Sequence, residues 1–438
     1  MKDMTVGSPT KILIQFSIPI LVGNLLQLAY TLIDTRLIGT FLGDHALAAV
    51  GSTTQLSMLF IGFFIGLTNG FAIMTARYFG LKDYEKVRQS FLLSLLMGTG
   101  LVIIVIFLML VFLHPVLVFM NVSENLMPDA KAYIRIIIAG MIVTMLYNVF
   151  LSSARAIGDS LTPLLTLCVS VCLNIGGDYL MVGVFHTGVW GAALATILAQ
   201  GITLAVCAVY ILRKYAFFRI RKGDFQDLNG QMARNMLASG TSMGLMSSLI
   251  TIGSLILQTG INGLGSSYIV AQSVARQITN VLMSVFVAVG NAMATYCSQN
   301  YGVGNVDRVR QGMKAGYWIT CSWCAFVLLI VYTAAPLLIR IITGSHDTVM
   351  IDAATQYLRI DTILYVLVAV IFVQRNSLQG VGEKITPLIS SGIEMAGKVI
   401  LTYTLVPMMG YFGVILVEPI VWIIMIVPLI IKVRKWER

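Results

Sequence analysis

The chain has 438 residues, of which 58% are hydrophobic and only 11% are charged. A soluble domain of this length has too little interior to hide so much apolar surface, so the composition excludes a soluble protein and predicts that lipid surrounds most of the chain. The formal net charge of +10 is assigned to basic loops at one membrane surface and not to nucleic-acid binding.

Twelve apolar segments of membrane-spanning length follow one another along the chain. Lipid-exposed backbone must satisfy its own hydrogen bonds, and the alternation typical of barrel strands is absent, so we predict helices. The predicted spans lie at about 12–38, 47–79, 89–113, 129–153, 162–184, 189–212, 235–262, 268–301, 309–333, 351–374, 386–408 and 411–431.

The second half of the chain repeats the first, roughly 222 residues later. Leu42-Gly43 recurs as Leu264-Gly265, and past a two-residue insertion Tyr133 corresponds to Tyr357. We therefore predict an all-α polytopic membrane protein, in which two six-helix bundles are related by a pseudo-twofold axis along the membrane normal. The predicted parts are an amino-terminal lobe at 1–212, a basic linker at 213–234 and a carboxy-terminal lobe at 235–438. Two such bundles can rock about a site at their interface, which is how alternating-access transporters work.

Lys and Arg fall mostly in alternate loops, in the 213–234 linker and at the two chain ends, while the opposite loops near 39–45, 185–188, 263–267 and 409–411 have none. This bias predicts a multi-pass protein of the plasma (inner) membrane with both termini in the cytoplasm. The linker is predicted to be solvated, although its basic and aromatic residues could instead rest on anionic lipid.

Ionisable residues inside predicted spans are costly, about 2.5–3.5 kcal/mol for Asp at a helix centre, and are therefore candidates for function. In the first half these are Asp34 and Asp178, and Asn174 shares a helix face with Asp178 because the two are four residues apart. An alternative places Asp34 at the membrane interface, paired with Arg36 or water. If the two carboxyl groups meet in a poorly hydrated pocket, they cannot both ionise cheaply, and the pocket can take up and release a proton or Na⁺.

These residues lie within stretches that resemble the MATE (multidrug and toxic compound extrusion) family. The resemblance covers essentially the whole chain and is specific in combination. It is carried by Thr5-Val6-Gly7-Ser8-Pro9, Phe16-Ser17-Ile18-Pro19, Ile33-Asp34-Thr35, Ala46-Leu47-Ala48-Ala49-Val50-Gly51, Arg155-Ala156-Ile157-Gly158 with Thr162-Pro163, and Gln379-Gly380-Val381-Gly382-Glu383-Lys384 with Thr386-Pro387.

The resemblance implies secondary active efflux of bulky, often cationic and aromatic compounds, driven by H⁺ or Na⁺. It implies a cation site, possible for Na⁺, in the amino-terminal lobe, and a bending proline in the first helix at Pro19. The implied site residues are Asp34, Asn174, Asp178, Thr196 and Tyr133.

Two departures from the family pattern stand out. Arg36 follows Asp34 where the family is usually uncharged; because residues two apart point to different sides of a helix, we expect no direct pair and instead an effect on the cavity potential. The seventh span lacks an acidic residue, with Gln258 its largest polar group, which puts a Na⁺ site built on a carboxylate there in doubt.

The second half also carries charge within its spans: Asp361, Glu394, Lys398 and Glu418. Glu394 and Lys398 are four residues apart, which favours an ion pair. Lys398 stands at the repeat position of Asn174, and Glu418 at that of Thr196. A neutralised polar network is favoured over a second ion or substrate site. Arg276 is expected to face the cavity or to snorkel.

We predict an antiporter that exports small molecules, resides in the lipid bilayer as a monomer, has no nucleic-acid partner and needs no cofactor beyond its coupling ion. The nearest alternative is a flippase for a lipid-linked saccharide or peptidoglycan precursor, which would need a cationic groove; Arg36 and Arg276 are its only hints. A membrane enzyme is not expected, because no catalytic motif is present. A passive channel is a further alternative.

Overall fold

The computed structural model describes residues 2–226, 228–344 and 347–437, and within them the chain is helical, with no strand. The α-helices are α1 Pro9–Gly80, α2 Tyr84–Phe119, α3 Met127–Ala156, α4 Leu161–Asp178, α5 Val189–Lys214, α6 Gly230–Asn262, α7 Ser266–Gly302, α8 Val306–Thr343, α9 Thr348–Ile363, α10 Tyr365–Gly380, α11 Ile385–Met409 and α12 Tyr411–Glu437. A π-helical stretch, Tyr179–Val184, continues α4, and two short 3₁₀ turns, Ala216–Phe218 and Lys222–Phe225, follow α5.

Helix α1 joins the first two predicted spans into one element of 72 residues. At 1.5 Å per residue it is about 108 Å long, several times the ~30 Å thickness of a bilayer core. It breaks at Gly43, whose φ of 78° and ψ of −178° are outside the helical region. A residue without a Cβ is suited to this conformation. Helix α1 therefore contains two crossings.

The tenth predicted span is also irregular, since it consists of α9 and α10 joined at Leu364 with a bend of 52°. Nine of the described helices are long and apolar enough to cross a membrane, and the bent pair adds a tenth. With α1 counted as two crossings and the 25-residue α11 included, the described helices form twelve segments. The predicted all-α, twelve-helix fold is confirmed.

The helices form two compact units whose boundaries differ from the predicted lobes. The first unit comprises Met1–Asp3 and Val22–Gly244, and the second comprises Met4–Leu21 and Leu245–Arg438. The beginning of α1 thus packs within the second unit, and the beginning of α6 within the first. Helices α1 and α6 are the first helices of the two halves of the repeat. In each half, therefore, the first helix begins within the compact unit formed mainly by the other half.

Within the first unit, α1 and α6 approach closely through glycines spaced four residues apart. A Cβ added at Gly70 would lie 2.5 Å from the backbone of Ser239 and Gly240, and one at Gly66 would lie 2.5 Å from the carbonyl oxygen of Met243. Small residues at this spacing let two membrane helices pack backbone to backbone. This contact fixes the beginning of α6 against α1.

Most residues of the connector between α5 and α6 are exposed, but two of its aromatic residues are buried. Phe218 is fully buried and Tyr215 nearly so, in the same hydrophobic cluster as Val87 of α2. The Nε–H of Arg88 lies 2.8 Å and 2.7 Å from the two carboxylate oxygens of Asp224. Aromatic residues of the connector therefore pack on the first unit, because lateral helix contacts left an apolar surface there that sequence alone does not reveal.

The loops before α4 and before α11 use the same capping chemistry at equivalent repeat positions. Asp159 accepts hydrogen bonds from the backbone N–H of Thr162 at 3.0 Å and from the Tyr215 hydroxyl at 2.6 Å, and Lys214 lies 3.3 Å away. Burial alone would raise the pKa of Asp159, but the bonds from Thr162 and Tyr215 outweigh it and hold the pKa at about 2.

In the second unit Glu383 accepts from the backbone N–H groups of Ile385 and Thr386 at 3.1 and 3.3 Å, and pairs with Lys432 at 2.6 Å. Burial opposes ionisation here too, yet these donors lower the pKa of Glu383 below its ordinary value. Both loops are thus held by an ionised carboxylate that caps the following helix.

Candidate functional site

The candidate site in the first unit is built around Asp34 of α1 and Asp178, the last residue of α4. Their carboxyl groups are near enough to interact electrostatically with each other. Asp178 is 1% exposed, and no other described group donates a hydrogen bond to either of its oxygens. Two ionised carboxylates repel each other at close range in a poorly hydrated site, so their proximity favours a proton on one of them or a cation between them.

An amide and a hydroxyl complete the polar surface of the site. The Nδ2 of Asn174 donates to the Oγ1 of Thr196 at 3.1 Å, and Thr196 in turn donates to the carbonyl of Ala192 at 3.1 Å. This chain of bonds orients the amide and leaves the buried Oδ1 of Asn174 with no donor among the described residues. Asn174 is one helical turn before Asp178, so an amide oxygen and a carboxylate share one face of α4.

Two tyrosines flank the carboxyl pair. Tyr133 of α3 interacts electrostatically with both Asp34 and Asp178. Tyr30 of α1 does the same, and its hydroxyl lies beside the Thr196 side chain. Tyr30 was missed by sequence reasoning, although its position four residues before Asp34 places the two on one helix face. That spacing is the signal that could have found it.

An apolar layer covers the site on the side of the 185–188 loop. It contains Ile38, Val182 and Ala192, which are 2% exposed and belong to one buried cluster. Each lies one helical turn from a site residue, namely Asp34, Asp178 or Thr196. Val182 lies in the π-helical stretch that begins directly after Asp178, a feature often found at functional sites.

Two residues that the sequence analysis associated with this site, Arg36 and Pro19, do not lie at the carboxyl pair. Arg36 is exposed, and none of the ion pairs among the described residues joins it to Asp34. Pro19 is inside α1 but belongs to the Met4–Leu21 segment of the second unit. It lies just before the residue at which α1 passes into the first unit.

A second polar cluster lies in the second unit around Lys398 of α11. Its ammonium is 3.2 Å from Glu394 Oε1 and 3.3 Å from Glu418 Oε1. The Tyr357 hydroxyl donates to the other oxygen of Glu418 at 3.4 Å. The expected pair of Glu394 and Lys398 is therefore present, and α12 joins it through Glu418.

Arg375 belongs to the same cluster, although it lies just beyond the predicted 351–374 span and was not among the predicted site residues. It is 5% exposed and lies 3.4 Å from Glu394. Arg276 interacts electrostatically with Glu418 and Lys398, whereas Gln258 bonds with Asn262 at 3.0 Å. Asp361 is fully buried, and neither carboxylate oxygen receives a hydrogen bond from the described part of the chain.

The two clusters differ in what they can bind. The first offers oxygen atoms of Asp34, Asp178, Asn174 and Thr196, without a basic side chain among the groups in contact with them, and so suits a proton or a small hard cation such as Na⁺. Within the described residues no group of three or more His, Cys, Asp or Glu side chains is arranged to hold a metal ion. The oxygen atoms that could coordinate a cation at this site come from two carboxylates, one amide and one hydroxyl.

Twelve apolar helices that place two neighbouring carboxyl groups, one of them fully buried, within a membrane span define a polytopic membrane transport protein rather than a receptor anchored by one helix. The chain belongs to the MatE family, whose sequence model matches residues 19–180 and again residues 243–404. The two matches fall one in each half, as the internal repeat requires.

Similar proteins span nearly the whole chain. YpnP of Bacillus subtilis strain 168, described as a probable multidrug resistance protein, is 27% identical over 391 residues, covering 88% of this chain and 86% of the relative. The multidrug export protein MepA of Staphylococcus saprophyticus is 24% identical over 423 residues, covering 96% and 91%. The crystal structure of a mutant of the Vibrio cholerae MATE transporter VcmN has the same fold, with a TM-score of 0.89, 20% identity and coverage of 98% and 97%.

Proposed function

We propose that this protein is a multidrug efflux antiporter that exchanges bulky, often cationic and aromatic compounds for H⁺ or Na⁺ bound at Asp34 and Asp178. The family membership and the export functions named for its relatives support efflux. The observation that carries the coupling role is the proximity of two carboxyl groups that form no ion pair with a basic side chain among the described residues. Such a pair holds one exchangeable positive charge and releases it at modest cost.

The remaining roles follow from the same geometry. Asn174, Thr196, Tyr30 and Tyr133 orient the carboxyl pair and supply neutral ligands for the cation. Pro19 cannot donate the hydrogen bond that its position in α1 would otherwise make. It lies where α1 changes from one compact unit to the other, which supports its assignment as the hinge through which binding at Asp34 alters the helix.

The membrane location and chain orientation are proposed from the basic loops: a plasma-membrane protein with both termini in the cytoplasm, acting as a monomer. Lys398, Glu394, Glu418 and Arg375 are assigned to a structural network, because opposite charges neutralise one another there. A flippase would need an uncompensated cationic groove, and Arg276 interacts with Glu418 instead. No observation favours that alternative.

Transport in proteoliposomes tests the proposal directly. Purified protein is reconstituted with ethidium as the probe, and pH and Na⁺ gradients are imposed separately at equal membrane potential. Uphill ethidium movement driven by one of the two gradients is expected, with Asp178→Asn inactive in the same assay. Equal, downhill-only movement with and without either gradient would show a passive pore and contradict the antiporter.

A further inference from the structure

The same pair of repeat positions is in contact in both units. In the first unit Asn174 bonds to Thr196 at 3.1 Å. In the second, the equivalent residues Lys398 and Glu418 form an ion pair at 3.3 Å. The duplicated fold has therefore kept a polar contact between these two helices while its chemistry changed from a neutral amide and hydroxyl to an ammonium and a carboxylate.

The Lys398 ammonium occupies a place suited to a cation. Glu394 and Glu418 approach it from two helices at 3.2 and 3.3 Å, and the Lys398 side chain is only 4% exposed. Glu418 is also bonded by Tyr357, the repeat counterpart of Tyr133. The fully buried Asp361, with neither oxygen bonded within the described chain, interacts electrostatically with both Glu418 and Lys398. Glu394 and Glu418 therefore both face the Lys398 ammonium, although each also has an arginine neighbour: Arg375 lies 3.4 Å from Glu394, and Arg276 interacts with Glu418.

We propose that the second unit contains a cation site permanently occupied by the ammonium of its own Lys398, and that removing this side chain exposes a binding site for a small monovalent cation. The ligand class is an alkylammonium or alkali ion, because a single positive charge replaces the one removed. This proposal goes beyond the transport function above and does not depend on which ion drives it.

Removing the Lys398 side chain is expected to lower the stability of the folded protein. Deleting one partner of a buried ion pair leaves uncompensated charge and destabilises the fold. Here it also leaves a space with two carboxylates aimed into it. A ligand that binds the folded state alone raises the unfolding temperature in proportion to the logarithm of its concentration. A small cation should therefore recover part of the stability that Lys398→Ala loses.

The test follows thermal unfolding of the purified full-length protein in detergent by the fluorescence of its five Trp residues. Lys398→Ala is compared in methylammonium chloride and in choline chloride at equal ionic strength, since choline carries the same charge but is too large for the space of a lysine side chain. Methylammonium is expected to raise the Tm by at least about 2 °C more than choline does. The unmodified protein should respond equally to both salts.

Two controls show whether the ion binds between the named carboxylates. Lys432→Ala removes a lysine that pairs with Glu383 at 2.6 Å, outside the Lys398 cluster. This variant should show no preference for methylammonium. Lys398→Ala with Glu418→Gln keeps the space but loses one carboxylate, and should also lose the preference. An equal response of Lys398→Ala to both salts, or an undiminished preference in the double variant, would overturn the proposal.

If Lys398→Ala yields no folded protein in either salt, Lys398→Met keeps the volume and removes only the charge. The proposal then requires that adding Glu418→Gln stabilises the Lys398→Met protein, because the substitution removes an unpaired buried charge. No gain in Tm would show that Glu418 is not held by the lysine and would overturn the assignment.

Discussion

The carboxyl groups of Asp34 and Asp178 are close enough to interact although the two residues lie on helices in different parts of the chain. Both belong to the first unit, and both have an apolar residue of the same buried layer one turn further along their helices. The contact is favourable only when a proton or another cation neutralises part of its charge. On the proposed mechanism, occupancy of this small site changes the forces acting on α1.

Replacing either carboxyl group should therefore stop transport. Asp34→Asn and Asp178→Asn are each expected to reduce ion-driven ethidium efflux at least ~10-fold, the effect of about 1.4 kcal/mol, because a neutral amide cannot bind and release the exchanged charge. Asp44→Asn, an exposed residue of the same helix, is the matched control and should transport normally. Normal efflux by either site variant at equal membrane expression would refute the coupling role.

Tyr30 should matter because its hydroxyl lies beside Thr196 and close to both carboxyl groups. Tyr30→Phe removes one neutral hydrogen bond while keeping the ring, and should slow efflux about 2–10-fold. Tyr179→Phe is the comparison, since Tyr179 directly follows Asp178 but is 55% exposed. If the two variants transport equally well, Tyr30 does not belong to the site.

The Arg375–Glu394 pair provides a stability test in the second unit. Arg375→Met should destabilise the protein by about 3–5 kcal/mol, because it leaves Glu394 less well compensated in a buried position. Adding Glu394→Gln should recover much of that loss, so the two effects will not be additive. Thermal unfolding of the two single variants and the double variant measures the coupling. Additive losses would mean that the two side chains act independently.

The close contact between α1 and α6 predicts that Gly70 tolerates no side chain. Gly70→Ala places a Cβ 2.5 Å from the backbone of α6, and the overpacking should cost about 1–3 kcal/mol. Gly51→Ala is the control on the same helix, because its Cβ would have no neighbour within 4 Å. A lowered Tm for Gly70→Ala but not for Gly51→Ala is expected. Equal unfolding temperatures would mean that the helices are further apart.

Asp159 predicts a defined pH dependence. Its pKa is about 2 in the folded protein, below the value of about 3.9 for an unfolded Asp. Its contribution to stability is therefore fully present above about pH 4 and lost as the pH falls towards 2. The unmodified protein should be more stable than Asp159→Asn by about 1–2 kcal/mol at pH 5–7, and the difference should shrink below pH 4. A difference that does not change down to pH 3 would contradict this.

The sequence by itself determined the helical fold, the duplication and the identities of the first carboxyl pair. Apolar segments of membrane length leave the backbone no alternative to helix, and Asp34 and Asp178 stand out because charge within such segments is costly. The Glu394–Lys398 contact was also predictable, since residues four apart share a helix face. Segment length, composition, internal repetition and local spacing were sufficient for these inferences.

Only the tertiary structure decided which residues from different helices meet. Arg375 follows an apolar stretch and is indistinguishable in sequence from a loop arginine, yet lateral packing buries it against Glu394. The connector around Phe218 has the composition of a solvated linker, and only the apolar surface of α2 explains its burial. The packing of the beginning of α6 within the first unit likewise involves its glycine contact with α1. Helix periodicity specifies which face of a helix is polar, but the neighbour opposite that face is fixed by packing in three dimensions.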